Sequence, residues 1–145
     1  MLQKFSSIHM DNCVRLFYDV FTSEDWKFDW LAIDNINRYF TDLGNTPQFS
    51  GFVWIEKNRL MGGCFGVVSD YFSAPQYEIK EIFVDLKSQG QGIGSRFLKA
   101  IEDELARQEI QAVSLFTQCD IPAYSFYLKN EYIISEKTVH FLKVL

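Results

Sequence analysis

Residues 84–98 read VDLKSQGQGIGSRFL, and the rest of the chain can be interpreted outward from this stretch. It begins at the end of an apolar run, passes through Gly90, Gly92 and Gly94, and continues directly into a helical pattern. This predicts a strand, a turn and a helix N-terminus. Glycine lets the backbone approach a ligand closely, and the first N–H groups of a helix have no partner within the helix. The stretch therefore predicts a site for a phosphate-bearing ligand at residues 89–95.

The composition is typical of a single globular domain, and we expect one domain over residues 1–145. No apolar run reaches the roughly 18 residues of a membrane span, and the N-terminal residues lack an apolar signal core, so a cytoplasmic location is expected. The net charge is -5 and no basic cluster occurs. Because binding to nucleic acid requires concentrated Lys and Arg, nucleic acid is not an expected partner.

The cysteines and histidines do not predict a metal site. Cys13, Cys64 and Cys119 are widely spaced, which fits neither a disulfide framework nor a C-x-x-C motif. Apart from them, only His9 and His140 could provide soft ligands. We therefore expect reduced thiols and no metal cofactor.

Hydrophobic periodicity predicts an α/β fold. Helical patterns occur at residues 8–21, 30–43, 93–109 and 121–129, and strand patterns at residues 52–56, 60–69, 77–85, 112–117, 132–135 and 139–144. The helix between the third and fourth of these strands predicts a parallel pair with a right-handed crossover. Together the patterns predict a mixed, mostly antiparallel sheet of about six or seven strands with about four helices. Three glycines in the second strand predict a bulge or the close approach of another group.

Two common phosphate-binding loops do not fit the glycine turn. The dinucleotide fingerprint G-x-G-x-x-G fails because Ser95 stands three positions after Gly92. A P-loop fails because no Gly-Lys-Ser/Thr sequence opens the helix.

A different signature does fit, and it extends into a second motif downstream. Gln89, Gly92 and Gly94 match the pattern Q/R-x-x-G-x-G/A of the GNAT superfamily of acyl-CoA-dependent N-acyltransferases, which the chain resembles over most of its length. A later segment matches the family pattern A-x-x-F-Y-x-K-x-x-Y through Ala123, Phe126, Tyr127, Lys129 and Tyr132. Two positions depart from the family, since Asp120 replaces a usual Asn and Glu131 a usual Gly.

The resemblance implies a GNAT-like fold that binds acetyl-CoA. It assigns the coenzyme A pyrophosphate mainly to backbone amides of seven consecutive residues, namely Gln89, Gly90, Gln91, Gly92, Ile93, Gly94 and Ser95. Phe83 and Val84 would flank the pantetheine arm, and Asp120, Ala123 and Tyr127 would lie near the same arm.

The expected chemistry needs a base and an acid. An amine with a pKa near about 10.4 must lose a proton before it attacks a thioester, and a carboxylate is the natural acceptor. The resemblance nominates Glu78 first and Glu81 second as the base, and strand alternation predicts that they point to opposite faces. Tyr127 matches the family position of the acid, with Tyr124 as its substitute.

The expected function is acetyl transfer from acetyl-CoA to a primary amine by direct attack, through a tetrahedral intermediate. A small-molecule acceptor is favoured, while a peptide acceptor and an acyl-CoA-binding sensor without turnover stay as alternatives. Five aromatic residues are expected near the acceptor, although core packing or a homodimer interface explains them equally well: Trp26, Phe28, Trp30, Tyr71 and Phe72.

Overall fold

A central sheet separates two helical layers in the computed structural model, which describes residues 1–71 and 74–145. The five strands are β1 (Leu2–Lys4), β2 (Phe49–Glu56), β3 (Arg59–Tyr71), β4 (Ala74–Val84) and β5 (Ala112–Leu115), and they lie side by side in that order. The first four are antiparallel, whereas β4 and β5 are parallel. This confirms the predicted mixed, mostly antiparallel sheet, with slightly fewer strands than expected.

Four helices cover the sheet in the described residues. They are α1 (Met10–Phe21), α2 (Ile33–Gly44), α3 (Ile93–Arg107) and α4 (Pro122–Lys129), with short 3-10 turns at Ser7–His9 and Leu86–Ser88. The apolar faces of α1 and α2 pack on the face of the sheet that carries Phe65 and Phe83. The apolar faces of α3 and α4 pack on the opposite face. None of these helices is long and apolar enough to cross a membrane.

An aromatic cluster fills the layer between the sheet and the first two helices. Phe40 lies 4.7 Å from Phe65 between ring centroids, and Phe17 lies 5.4 Å from Phe83, both nearly edge to face. Such pairs add stability beyond the area that they bury. The high aromatic content of the chain is therefore explained largely by this core.

The glycines of β3 make room for large rings on both faces of the sheet. A Cβ at Gly63 would collide with the ring of Phe83, and one at Gly66 would collide with the ring of Tyr77. The fully buried Tyr77 hydroxyl donates a hydrogen bond to the Ser50 carbonyl at 2.8 Å. The close approach predicted from the glycines is thus confirmed.

A bulge in β4 changes which side chains share a face. The pairing of β3 with β4 shifts by one residue at Lys80, so that Phe65 pairs with Glu81 while Val67 pairs with Glu78. Phe65 and Val67 are two apart on a regular stretch of β3 and point to the same face, as do their partners on β4. Glu78 and Glu81 therefore lie on one face, and the expectation of opposite faces is wrong because simple alternation ignores the inserted residue.

Both ends of the chain differ from the predicted pattern. The short β1 pairs with β2, although three residues are too few to show a period. Residues 133–145 form no strand, although two strand patterns occur there. A period-2 pattern makes a segment able to form a strand, but a strand needs a neighbour, and β5 is not paired with this segment.

Candidate active site

A cleft of about 280 Å³ opens at the carboxyl end of β4. Its walls come from the end of α1 and the following loop, from β4, from the glycine turn with the start of α3, and from α4. The lining residues are Val20, Phe21, Trp26, Ile82, Phe83, Val84, Gln89, Gly90, Gly92, Gly94, Ser95, Pro122, Ala123, Phe126, Tyr127 and Lys129.

The cleft exists because β4 and β5 separate halfway along β4. Their pairing runs from Gln76 with Ala112 to Ile79 with Leu115 and stops there. Residues 80–84 of β4 therefore have no β5 neighbour, and the cleft opens beside this unpaired end of the strand. The bulge at the start of this unpaired stretch also increases the local twist of the strand.

The glycine turn presents backbone donors to the cleft. Gly90 and Gly92 have φ angles of 76° and 74°, a left-handed conformation that residues with a Cβ rarely adopt. The first N–H that bonds back into α3 is that of Arg96, which donates to the Gly92 carbonyl at 3.0 Å. The N–H groups of residues 93–95 precede this bond, so the helix end offers them to an anion.

The third glycine of the turn lies against α4. A Cβ at Gly94 would lie 3.2 Å from the ring of Phe126 and 3.9 Å from Val84. A larger side chain there would push α4 away from the turn. The absence of a side chain thus keeps the cleft wall in place and the helix end accessible.

Polar contacts hold the turn on the end of β4. The buried carboxylate of Asp85 accepts hydrogen bonds from Arg59 at 3.1 Å and from the Ser88 hydroxyl at 3.2 Å. The Gln89 side chain donates to the Val84 carbonyl at 3.1 Å. These bonds fix the turn before any ligand arrives, and they use the Gln89 amide for structure.

Tyr127 lines the cleft with its phenol in the neutral form. The residue is 7% exposed. Burial, followed by electrostatic interactions with the Cys64 and Glu81 side chains, raises the pKa of Tyr127 well above its usual value. The hydroxyl is therefore protonated at neutral pH and able to donate a proton.

The pKa of Glu81 lies near neutral pH. Burial raises the pKa of Glu81 to about 7, and a hydrogen bond donated by Tyr39 of α2 partly offsets this effect. A carboxyl with this pKa is partly ionised at neutral pH and can accept a proton. Glu78, in contrast, is paired with Lys80 at 2.7 Å on the more open part of the strand.

Comparison with known proteins identifies the fold family. A family model described as "Acetyltransferase (GNAT) family" matches residues 11–132. The chain belongs to the GNAT acetyltransferase family. A search of curated proteins gives no match.

Solved structures share this GNAT fold over the whole chain. An aminoglycoside acetyltransferase from an uncultured soil metagenomic sample, solved with sisomicin, is 22% identical, with a TM-score of 0.74 and coverage of 100% of this chain and 95% of the other. A GNAT family acetyltransferase of Staphylococcus aureus is 16% identical, with a TM-score of 0.73 and coverage of 100% and 98%. AAC(6')-Iy, solved with the bisubstrate analogue CoA-S-monomethyl-acetylneamine, is 10% identical, with a TM-score of 0.74 and coverage of 100% and 98%. At these identities the likeness establishes the fold alone.

The GNAT cleft brings together many of the residues nominated from the sequence, but some lie elsewhere. Phe83, Val84, Gln89, Gly90, Gly92, Gly94, Ser95, Ala123 and Tyr127 line it. In the part of the chain that the structure describes, Gln91, Ile93, Asp120, Glu78 and Glu81 are not lining residues. Gln91 is exposed and donates to the Lys87 carbonyl, Ile93 is buried, and Asp120 is exposed before α4.

The aromatic residues expected near the acceptor divide into two groups. Trp26 lines the cleft and packs against Phe21, with ring centroids 4.8 Å apart. Phe28 stacks with Trp30 at 5.6 Å, and Trp30 is 74% exposed. Phe72 and the side chain of Tyr71 lie outside the described residues.

Sequence reasoning missed several residues of the GNAT cleft wall. Val20, Phe21 and Ile82 belong to apolar faces whose pattern indicates only burial, and Pro122 stands out only as a helix start. Lys129 also lines the cleft. It lies in the late family motif, and its place in that motif is the sequence signal that could have identified it.

Proposed function

We propose that this GNAT protein transfers the acetyl group of acetyl-CoA to a primary amine of a small molecule. One observation carries the proposal: the N-terminus of α3, the unpaired end of β4 and Tyr127 line a single cleft. An anion cradle and a proton donor that share one cleft with apolar walls suit a ligand with a phosphate group and a reactive thioester.

The glycine turn suits the pyrophosphate of coenzyme A. Backbone N–H groups at residues 93–95 would bind its oxygens, and the helix dipole adds favourable electrostatics. Lys129 lines the same cleft and would supply a positive charge. Phe83, Val84 and Ala123 provide an apolar wall that fits the pantetheine arm.

The transfer needs one proton acceptor and one proton donor. Acetyl-CoA supplies a thioester that an amine can attack, so that an N–C bond forms and the C–S bond breaks. Glu81 would take the proton of the amine, because its pKa of about 7 lets it be ionised and still basic. Tyr127 would give its proton to the leaving thiolate, because its phenol is neutral at this pH. Glu78 is the less suitable base, since its carboxylate is paired with Lys80.

The wall formed by Phe21, Trp26 and the loop that carries Trp26 favours a small cationic amine as the acceptor. Phe21 and Trp26 form an apolar and aromatic wall, and aromatic faces attract cations. The loop that carries Trp26 also contains Glu24, Asp25 and Asp29. Two of the structures with this fold were solved with sisomicin and with CoA-S-monomethyl-acetylneamine, which supports a small-molecule amine without identifying it.

A coenzyme A release assay across amine classes tests the proposal. The panel contains polyamines, aminoglycosides, single amino acids and peptides with a free N-terminus, each with acetyl-CoA and a thiol reagent. We expect release with at least one small amine and little with peptides. Stabilisation by acetyl-CoA without release for any amine would indicate a sensor and overturn the proposal. Release with peptides alone would overturn the small-molecule acceptor.

A further inference from the structure

The C-terminal turn of α4 brings Tyr132 against Tyr127 in two ways. The N–H of Tyr132 donates to the Tyr127 carbonyl at 3.0 Å, and the N–H of Glu131 donates to the Leu128 carbonyl at 3.1 Å. These two bonds form a Schellman motif, in which the residue after the left-handed position often packs on the residue that accepts its bond. The rings of Tyr132 and Tyr127 do so, with centroids 5.3 Å apart. The candidate acid is thus contacted through its backbone and its ring by the same residue.

The backbone of this turn is strained. Glu131 has a φ angle of 67°, in the left-handed region, where a Cβ lies too close to the following carbonyl oxygen. Such a conformation persists only where the surrounding contacts hold it. The two backbone bonds of the turn lie within α4 and its end, so they do not fix the turn relative to the rest of the protein. A contact outside α4 is therefore expected to hold it.

That contact is a hydrogen bond to α3. The Tyr132 hydroxyl donates to Glu102 Oε1 at 3.0 Å, and both residues are half-buried. Burial, followed by the charge of Glu102, raises the pKa of Tyr132 well above its usual value, so the hydroxyl remains a donor at neutral pH. Among the residues that the structure describes, no other hydrogen bond links residues 121–132 to another part of the chain.

The other contacts of α4 with its surroundings are apolar. Ala123, Phe126 and Tyr127 pack in the same core layer as the apolar face of α3. Apolar burial is non-directional, whereas a hydrogen bond depends on distance and angle. Packing therefore keeps α4 on the sheet, while the bond of Tyr132 fixes the position of its C-terminal turn. Tyr127 lies in the last turn of α4, so its side chain moves with that turn.

We propose that Tyr132, held by Glu102, is a positioning residue that orients the Tyr127 hydroxyl towards the leaving thiolate. This role rests on the proposed function, in which Tyr127 is the acid. Tyr132 is not among the cleft-lining residues of the described chain, so it acts through Tyr127 and not on the substrate. Its bond also ties the helix that carries the acid to α3, whose N-terminus would hold the pyrophosphate. The acid and the bound donor would therefore keep a constant separation.

A double-mutant cycle on turnover tests this role. Tyr132→Phe keeps the ring and removes the bond to Glu102. We expect kcat to fall about 10-fold with the KM for acetyl-CoA nearly unchanged, since a displacement of about 1 Å can cost about 100-fold. In a Tyr127→Phe background the same substitution should leave kcat unchanged, because no hydroxyl remains to be oriented. A similar loss in both backgrounds would indicate a general packing role and would overturn the proposal.

Variants of Glu102 test the hydrogen bond apart from the charge. Glu102→Gln keeps an acceptor oxygen for the Tyr132 hydroxyl, so kcat should stay near the wild-type value. Glu102→Ala has no acceptor and should lower kcat as much as Tyr132→Phe does. Glu104→Ala is the matched control on the same helix, since the Glu104 carboxylate bonds to Arg107 and Gln108, and it should leave kcat unchanged. Equal kcat in Glu102→Ala and wild type would overturn the proposal.

The motion of the Tyr127 ring gives a readout that does not need turnover. NMR relaxation in the protein without ligands is expected to show a lower order parameter for this ring in Tyr132→Phe than in wild type. An equal order parameter would overturn the proposal, whether or not any amine is acetylated. A lower order parameter without turnover for any amine would support the positioning of Tyr127 and overturn the transfer reaction alone.

Discussion

Glu81 of β4 pairs with Phe65 of the neighbouring strand β3, and it shares with Phe83, two residues further on, the face of the sheet that packs against α1 and α2. There it is half-buried, and burial raises the pKa of Glu81 to about 7, an effect that the Tyr39 hydroxyl partly offsets. This face of the sheet therefore carries a carboxyl whose pKa is suited to proton transfer at neutral pH.

Replacing Glu81 should remove a pH-dependent step in turnover. In the wild type we expect kcat/KM to rise with pH through about 7, as Glu81 loses its proton. Glu81→Gln should lower kcat about 100-fold or more, the usual contribution of a general base, and should abolish this limb of the profile. Glu78→Gln is the matched control and should change both little. An unchanged limb in Glu81→Gln would show that another group is the base.

Tyr39 should shift the pKa of Glu81 without contacting the substrate. Its hydrogen bond stabilises the charged form of Glu81, which lowers the pKa of that carboxyl. Tyr39→Phe should therefore move the acidic limb of kcat/KM to higher pH, with a smaller effect on the plateau rate. A limb at an unchanged pH would contradict the role of this hydrogen bond.

Glu81 should also make the protein less stable at alkaline pH. Its pKa is about 4.5 in the unfolded chain and about 7 in the folded one. Between these values the native state holds a proton that the unfolded state has lost, so the free energy of unfolding falls as pH rises. Glu81→Gln lacks this penalty and should be more stable than wild type at pH 8, by up to about 3 kcal/mol. Denaturation at pH 4 and pH 8 checks this, and the difference should vanish at pH 4.

Tyr127 should contribute through its hydroxyl more than through its ring. Tyr127→Phe keeps the packing of α4 on the sheet but removes the proton donor for the thiolate. We expect kcat to fall by about 10- to 100-fold, within or just below the usual range for acid catalysis, with the KM for acetyl-CoA nearly unchanged. Tyr124→Phe, on the same helix but outside the cleft lining, is the control. Equal turnover in Tyr127→Phe and wild type would remove the acid assignment.

Much of the fold could be predicted because its signals are local. The glycine turn, the periodic faces of α1 and α3 and the alternation in β4 each depend on residues a few positions apart. The bulge at Lys80 could not be predicted, because it shows only in the register between β3 and β4. Residues 133–145 show the same limit, since their pattern specifies a strand without specifying a partner.

The candidate site was predictable only where a motif spans it. The glycine turn and Tyr127 belong to sequence patterns, whereas Val20 and Phe21 reach the cleft from a helix more than 60 residues before β4 ends. Tyr39, which interacts with Glu81, likewise belongs to a helix, α2, that is distant from β4 in the sequence. Contacts between distant elements carry no local signal, and these contacts set both the cleft wall and the pKa of the candidate base.

The left-handed glycine at the start of α3 should be essential for binding the donor. Gly92→Ala places a Cβ at a φ angle of 74°, which costs about 1–2 kcal/mol of strain or shifts the turn. We expect a higher KM for acetyl-CoA and a lower stability. Gly44→Ala is the control, because a Cβ there meets nothing within 4 Å and no left-handed conformation is required. Equal acetyl-CoA affinity in the two variants would contradict the proposal that the glycine turn binds the pyrophosphate.

Lys129 should provide the positive charge for binding acetyl-CoA, since Gln89 carries none. It lines the cleft, whereas the amide of Gln89 is bonded to the Val84 carbonyl. Lys129→Gln should raise the Kd for coenzyme A several-fold at low salt, with a much smaller difference at high salt, because ions screen the contact. Lys99→Gln is the control, since Lys99 is paired with Asp103 on the outer face of α3. Titration of coenzyme A against dephospho-coenzyme A would locate the contact: the loss should persist with both ligands if Lys129 binds the pyrophosphate, and should disappear with the dephospho form if it binds the 3'-phosphate.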